Sequence, residues 1–218
     1  MKRADFYFFH HYRRELAIFS VFFLTAMVIV VLHLLLHPVR VLGMDTSIFY
    51  MDEKYTLAAF FSTVTAFLTG YLFLENIKKG EPNGRKIVDL ASGFFFIILS
   101  FDEYFEVHEY INTLIKSGLE KEGMLKMLSN FSWIFPLSLV IIFIFFLLLL
   151  KMRFAEKPVR LPMLIGAFCF FGVLIFELLG SATYGKDIYV YYVALEEGLE
   201  MISESFFLLA ALIEKSIL

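Results

Sequence analysis

The chain has 218 residues, of which 60% are hydrophobic and 28 are phenylalanine, with a mean hydropathy of +0.76 and a net charge of −3. A soluble domain of this length could not keep such a composition in solution, so the sequence predicts an integral membrane protein. The scattered basic residues argue against a nucleic-acid partner, and a single cysteine excludes an internal disulfide.

Six segments are long and apolar enough to cross about 30 Å of hydrocarbon as helices. In chain order they are Leu16–Leu36, Tyr55–Leu74, Ile87–Phe101 with a polar extension, Phe131–Leu150, Leu161–Gly180 and Ile188–Ile213, the last of which carries four glutamates. We therefore predict an all-α, polytopic bundle of six transmembrane helices that forms one membrane domain over residues 1–218. The apolar residues of segment 111–130 recur at helical spacing, so this segment is expected on the outer surface as amphipathic helix.

The distribution of basic residues predicts the orientation of the bundle. Alternate connecting segments carry thirteen and six Lys or Arg residues. By the positive-inside rule, both termini are expected in the cytoplasm of a multi-pass cell-membrane protein. The halves 1–115 and 131–218 each end on an acidic span, and "FDEYFEV" aligns with "LEEGLEM" at three acidic positions. Two inverted three-helix repeats, as in transporters, are one explanation of this short match, and chance is the other.

Several ionisable residues are predicted to lie at one depth in the membrane. Because an α-helix rises about 1.5 Å per residue, Asp102, His33, Glu177 and Glu196 all fall roughly 20–25 Å from the cytoplasmic side. Every Lys and Arg is expected in a loop or at a terminus, so none is expected at this level. The acidic cluster, toward the extracytoplasmic side, then requires protonated carboxyls, water or a bound cation.

Carboxylates together with imidazole favour a metal site, because these are typical ligands of Fe, Mn or Zn in helical bundles. The predicted metal ligands are Asp102, Glu106, Glu196, Glu200, Glu177 and His33. Glu103 and Glu197 remain as candidate catalytic carboxylates, which would act as general bases. His37 is a weaker candidate ligand, and His108 points away from the Asp102 face of its helix. Asp89 is expected at the membrane interface.

Three classes of function follow from this cluster. The first is a metal-dependent membrane enzyme, a hydrolase or oxidase, that acts on a lipid or a small extracytoplasmic substrate. The alternative is a cation or proton transporter that uses the same acids, and the third is a structural or sensory subunit. A transport pathway needs polar groups that continue to the cytoplasm, and only a few Ser and Thr residues lie below Glu204. This scarcity favours the enzyme.

Overall fold

The computed structural model describes residues 11–36, 47–51, 55–77, 82–105, 107, 110, 111, 114, 134–183 and 186–217. Six long helices run through these residues: α1 (Arg13–Leu36), α2 (Leu57–Glu75), α3 (Asn83–Phe105), α4 (Ile134–Phe154), α5 (Lys157–Thr183) and α6 (Tyr189–Ile217). A short 3₁₀ turn, Ser47–Phe49, precedes α2. The all-helical prediction is confirmed, and each predicted span coincides with one helix. The predicted surface segment 111–130 lies largely outside the described residues.

Within the described residues, three helices are long and apolar enough to cross a bilayer, namely Arg13–Leu36, Leu57–Glu75 and Lys157–Gly180. Large side chains on α1 point away from the protein, and those of Val21, Leu24 and Leu35 are 62–68% exposed. An apolar outer face of this kind is what lipid requires and water disfavours. Charged residues interrupt α3 and α6, so these two helices do not meet the same criterion.

The most buried helix is α6, which packs against α1, α2 and α5. Small residues allow these close contacts. A Cβ atom on Gly198 would lie 2.9 Å from the Val30 side chain of α1. On the α5 side, the Ser203 hydroxyl donates a hydrogen bond of 2.8 Å to the carbonyl oxygen of Gly166. Glycine and serine at helix interfaces let two backbones approach and satisfy polar groups away from water.

A second close contact joins α2 and α3. A Cβ atom on Gly70 would lie 2.7 Å from the carbonyl oxygen of Gly93, so only glycine fits at this crossing. Further along, the Ser100 hydroxyl donates to the Thr63 carbonyl at 2.8 Å. These pairs show that α2 and α3 are antiparallel. Below, the proximal end is the end of the bundle where α1, α3 and α5 begin, and the distal end is where they finish.

Candidate functional site: two ionisable clusters joined by a cavity

Four carboxylates from two helices gather in the distal half of the bundle. The charge of Glu103 on α3 acts on those of three glutamates on α6, and the α6 glutamates act on one another. These four residues, referred to as the distal acidic cluster, are Glu103, Glu197, Glu200 and Glu204. Asp102, which is half-buried, also acts on Glu103. Like charges at such proximity repel, so the cluster favours the uptake of positive charge.

Aromatic packing fixes the register that brings these acids together. The rings of Phe96 on α3 and Phe207 on α6 contact each other, with centroids 5.1 Å apart. Glu103 and Glu200 each lie seven residues from this contact toward the distal end. Since both helices rise about 1.5 Å per residue, the two carboxylates reach the same level.

Glu204 is the deepest member of the distal acidic cluster. Its side chain is only 1% exposed, and the equally buried hydroxyl of Ser62 on α2 lies beside it. Although the two groups are neighbours, neither Glu204 oxygen nor the Ser62 hydroxyl makes a hydrogen bond of normal geometry to any described residue. Such unsatisfied buried polar groups are rare in proteins and mark sites where something else is bound.

The other predicted acidic ligands lie beside this cluster or outside the described residues. The Glu196 carboxylate approaches α5, where it is 3.7 Å from the position of a Cβ atom on Gly180. Glu177 is half-buried, one helical turn before that glycine. Glu106 falls outside the described residues, as do His37 and His108. The predicted union of Asp102, Glu106, Glu196, Glu200 and Glu177 around one ion therefore stays a prediction.

His33 has a specific structural contact. It is 1% exposed, and its Nδ1 atom accepts a hydrogen bond of 3.2 Å from the backbone N–H of Met51. A neutral imidazole whose Nδ1 accepts carries its proton on Nε2, whereas a metal-bound histidine ordinarily donates an N–H from its second nitrogen. The contact thus suits a tie between α1 and the segment before α2. Within the described ranges, no group of three or more His, Cys, Asp or Glu residues could hold a metal ion.

A buried ion cluster occupies the proximal end of the bundle and corrects two expectations from the sequence. Lys151 on α4 was expected in a loop, but it lies inside the helix and is 1% exposed. Its Nζ atom contacts Asp89 on α3 and lies 2.6 Å from Glu214 on α6. Asp89 was expected at the interface and is also 1% exposed, because it faces Lys151 rather than lipid or water.

Arg85 completes this proximal ion cluster, which comprises Arg85, Asp89, Lys151 and Glu214. Its guanidinium lies 3.3 Å from Glu214 and 3.7 Å from Asp89. Two cations thus balance two anions, which offsets the cost of burying them. The helical rise places all four groups at the proximal end, so applying the depth argument to this end of the spans, and not only to the distal layer, would have found the cluster.

A cavity runs between the two clusters. Glu204 lines one end and Lys151 the other, and the hydroxyls of Ser92 and Ser203 lie between them. Most of the remaining lining consists of Phe, Leu and Met side chains. The space open to the centres of water-sized molecules is 20 Å³, which is room for about one water. The protein interior therefore contains a narrow, mostly apolar passage with an ionisable group at each end.

No curated protein matches this chain, and no solved structure matches it either. A family model described as a domain of unknown function, DUF8692, matches residues 16–214, a range that extends from α1 into α6 and includes both clusters. The chain therefore belongs to the DUF8692 family.

Proposed function

We propose that this protein is a six-span membrane protein with cytoplasmic termini that transfers protons between the distal acidic cluster and the proximal ion cluster. The observation that carries this proposal is the cavity with Glu204 at one end and Lys151 at the other. Carboxyl and ammonium groups both take up and release protons, and ionisable residues inside membrane bundles commonly form proton relays. The positive-inside rule supports the orientation, with the distal acidic cluster toward the extracytoplasmic side.

The dimensions of the passage suit a relay with few steps. Glu204 and Glu214 are ten residues apart on α6, which corresponds to about 15 Å along the helix axis. The Ser92 and Ser203 hydroxyls donate to backbone carbonyls, and each keeps lone pairs that can accept from a water molecule. One water in the cavity would thus bridge groups that are too far apart for direct transfer.

The proximal ion cluster also changes the balance between the alternatives. From the sequence, transport lacked polar groups on the cytoplasmic side of Glu204. Lys151, Asp89 and Glu214 supply such groups in the protein interior. We therefore favour proton transfer over the metal-dependent enzyme.

Proton flux into proteoliposomes tests the proposal. Vesicles that contain a pH-sensitive dye and the purified protein are given a potassium gradient and valinomycin, so that the membrane potential drives protons inward. We expect Glu204→Gln to reduce flux to the level of protein-free vesicles, because the amide cannot carry the proton. Glu75→Gln is the matched control, since Glu75 forms an exposed ion pair with Lys215 away from the cavity. Wild-type flux in Glu204→Gln would refute the proposal.

A second pair of variants tests the proximal end. Lys151→Met removes one cation and leaves two buried carboxylates with Arg85 alone, so it can impair folding as well as flux. The double variant Asp89→Asn, Lys151→Met restores the charge balance. If the double variant folds and still conducts protons at the wild-type rate, the proximal ion cluster has no part in the pathway.

A further inference from the structure

We propose that the pocket formed by Glu204 and Ser62 binds a small alkali-metal cation, with Na⁺ as the best fit, in competition with the proton. This inference deepens the proposed function and rests on the assignment of Glu204 as the proton carrier. It makes the protein a site where cation binding and proton release are linked.

The first step of the argument is the set of unsatisfied oxygens. Both carboxylate oxygens of Glu204 and the hydroxyl oxygen of Ser62 are fully buried, and no described residue donates to or accepts from them. Both side chains are only 1% exposed. An isolated carboxylate is costly to bury, so it takes up a positive partner. Hard cations such as Na⁺ bind through oxygen ligands, and these atoms are three such ligands in one place.

The second step is the charge and size of the occupant. Glu204 contributes a single negative charge, and Ser62 is neutral, so one positive charge balances the pocket. The other carboxylates of α6, Glu197 and Glu200, are half-buried and lie toward the distal end. A divalent ion would need a second carboxylate at the depth of Glu204. The adjoining cavity holds about one water, which could complete the coordination of a small ion.

The third step is the set of groups that surround Glu204. The ionisable groups that face it are Glu103 on α3, Glu197 and Glu200 on α6, and Lys151 on α4 across the cavity. The α2 helix faces it with Ser62, and α5 lines the cavity with Met163 and Phe170. The α1 helix carries no ionisable residue between Glu15 and His33. The nearest charges are thus negative, and Lys151 is already held by Asp89 and Glu214.

Equilibrium binding of radioactive Na⁺ to the purified protein, in choline buffer, tests the inference. We expect saturable binding of one ion per chain, loss of binding in Glu204→Gln, and affinity about tenfold weaker in Ser62→Ala. Glu75→Gln should bind as the wild type does. Because one proton competes with one cation, each unit of decreasing pH should weaken the apparent affinity by up to about tenfold.

Carbodiimide labelling gives a second readout that does not depend on a variant folding. The reagent modifies protonated carboxyl groups, and peptide mass spectrometry measures the modification of Glu204 in the wild type. Slower labelling in NaCl than in choline chloride supports the inference, whether or not KCl also protects. Equal labelling in NaCl and choline chloride, or unchanged Na⁺ binding in Glu204→Gln, overturns it. If proton flux still depends on Glu204 in that case, the proposed function stands and only the cation site is lost.

Discussion

Replacing Lys151 by methionine should strongly destabilise the bundle. The substitution leaves the carboxylates of Asp89 and Glu214 buried, and removing one partner of a buried ion pair costs about 3–5 kcal/mol. Arg85 remains 3.3 Å from Glu214 and 3.7 Å from Asp89, so we expect the lower value, about 3 kcal/mol. For a protein of this length, such a loss lowers the unfolding temperature by about 6–12 °C.

The assay can use the single cysteine of the chain. Cys169 on α5 is half-buried, and a thiol-reactive fluorophore therefore reports its exposure as the detergent-solubilised protein is heated. Lys215→Met is the control, because the exposed pair of Lys215 with Glu75 contributes only about 0–1 kcal/mol. The double variant Asp89→Asn, Lys151→Met should recover part of the loss. An unfolding temperature for Lys151→Met within about 2 °C of the control would refute this account of the proximal ion cluster.

The same thermal assay tests three further contacts. His33→Ala removes the acceptor of the Met51 N–H and should cost about 2 kcal/mol, a decrease of about 4–8 °C; an unchanged midpoint would contradict the proposed tie. Gly70→Ala places a methyl group 2.7 Å from a backbone oxygen of α3 and should cost about 1–3 kcal/mol, whereas Gly84→Ala meets only the end of an aromatic ring at 3.5 Å and should be tolerated. Glu103→Gln relieves repulsion in the distal acidic cluster and should raise the unfolding temperature at pH 8 by about 2–4 °C. That gain should vanish at a pH low enough to protonate the neighbouring glutamates, and a gain that is independent of pH would argue against repulsion as its cause.

The sequence predicts the helices well because their signal is local. Each apolar run of about twenty residues must form a helix in order to satisfy its own backbone hydrogen bonds in lipid. The level shared by Glu103 and Glu200 is also predictable, since the rise of a helix is fixed and both residues lie at known distances from their span ends.

The contacts between helices carry no comparable local signal. The partners of Lys151 lie 62 residues before it and 63 residues after it, so its burial depends on how three helices pack. A lysine three residues before a helix end looks like an ordinary interfacial residue until that packing is known. The acceptor role of His33 is equally hidden, because its donor is a backbone N–H outside the helices, and no side-chain pattern marks such a donor.

The proximal ion cluster also imposes an order on the assembly of the protein during synthesis. Asp89 and Arg85 emerge together on α3, so the first pair of charges is balanced within one helix. Lys151 then enters with α4 and adds an excess positive charge, which is neutralised only when Glu214 arrives near the end of α6. A chain that stops before its last helix therefore carries an uncompensated buried lysine, a defect that membrane quality control can detect before any loss of activity is apparent.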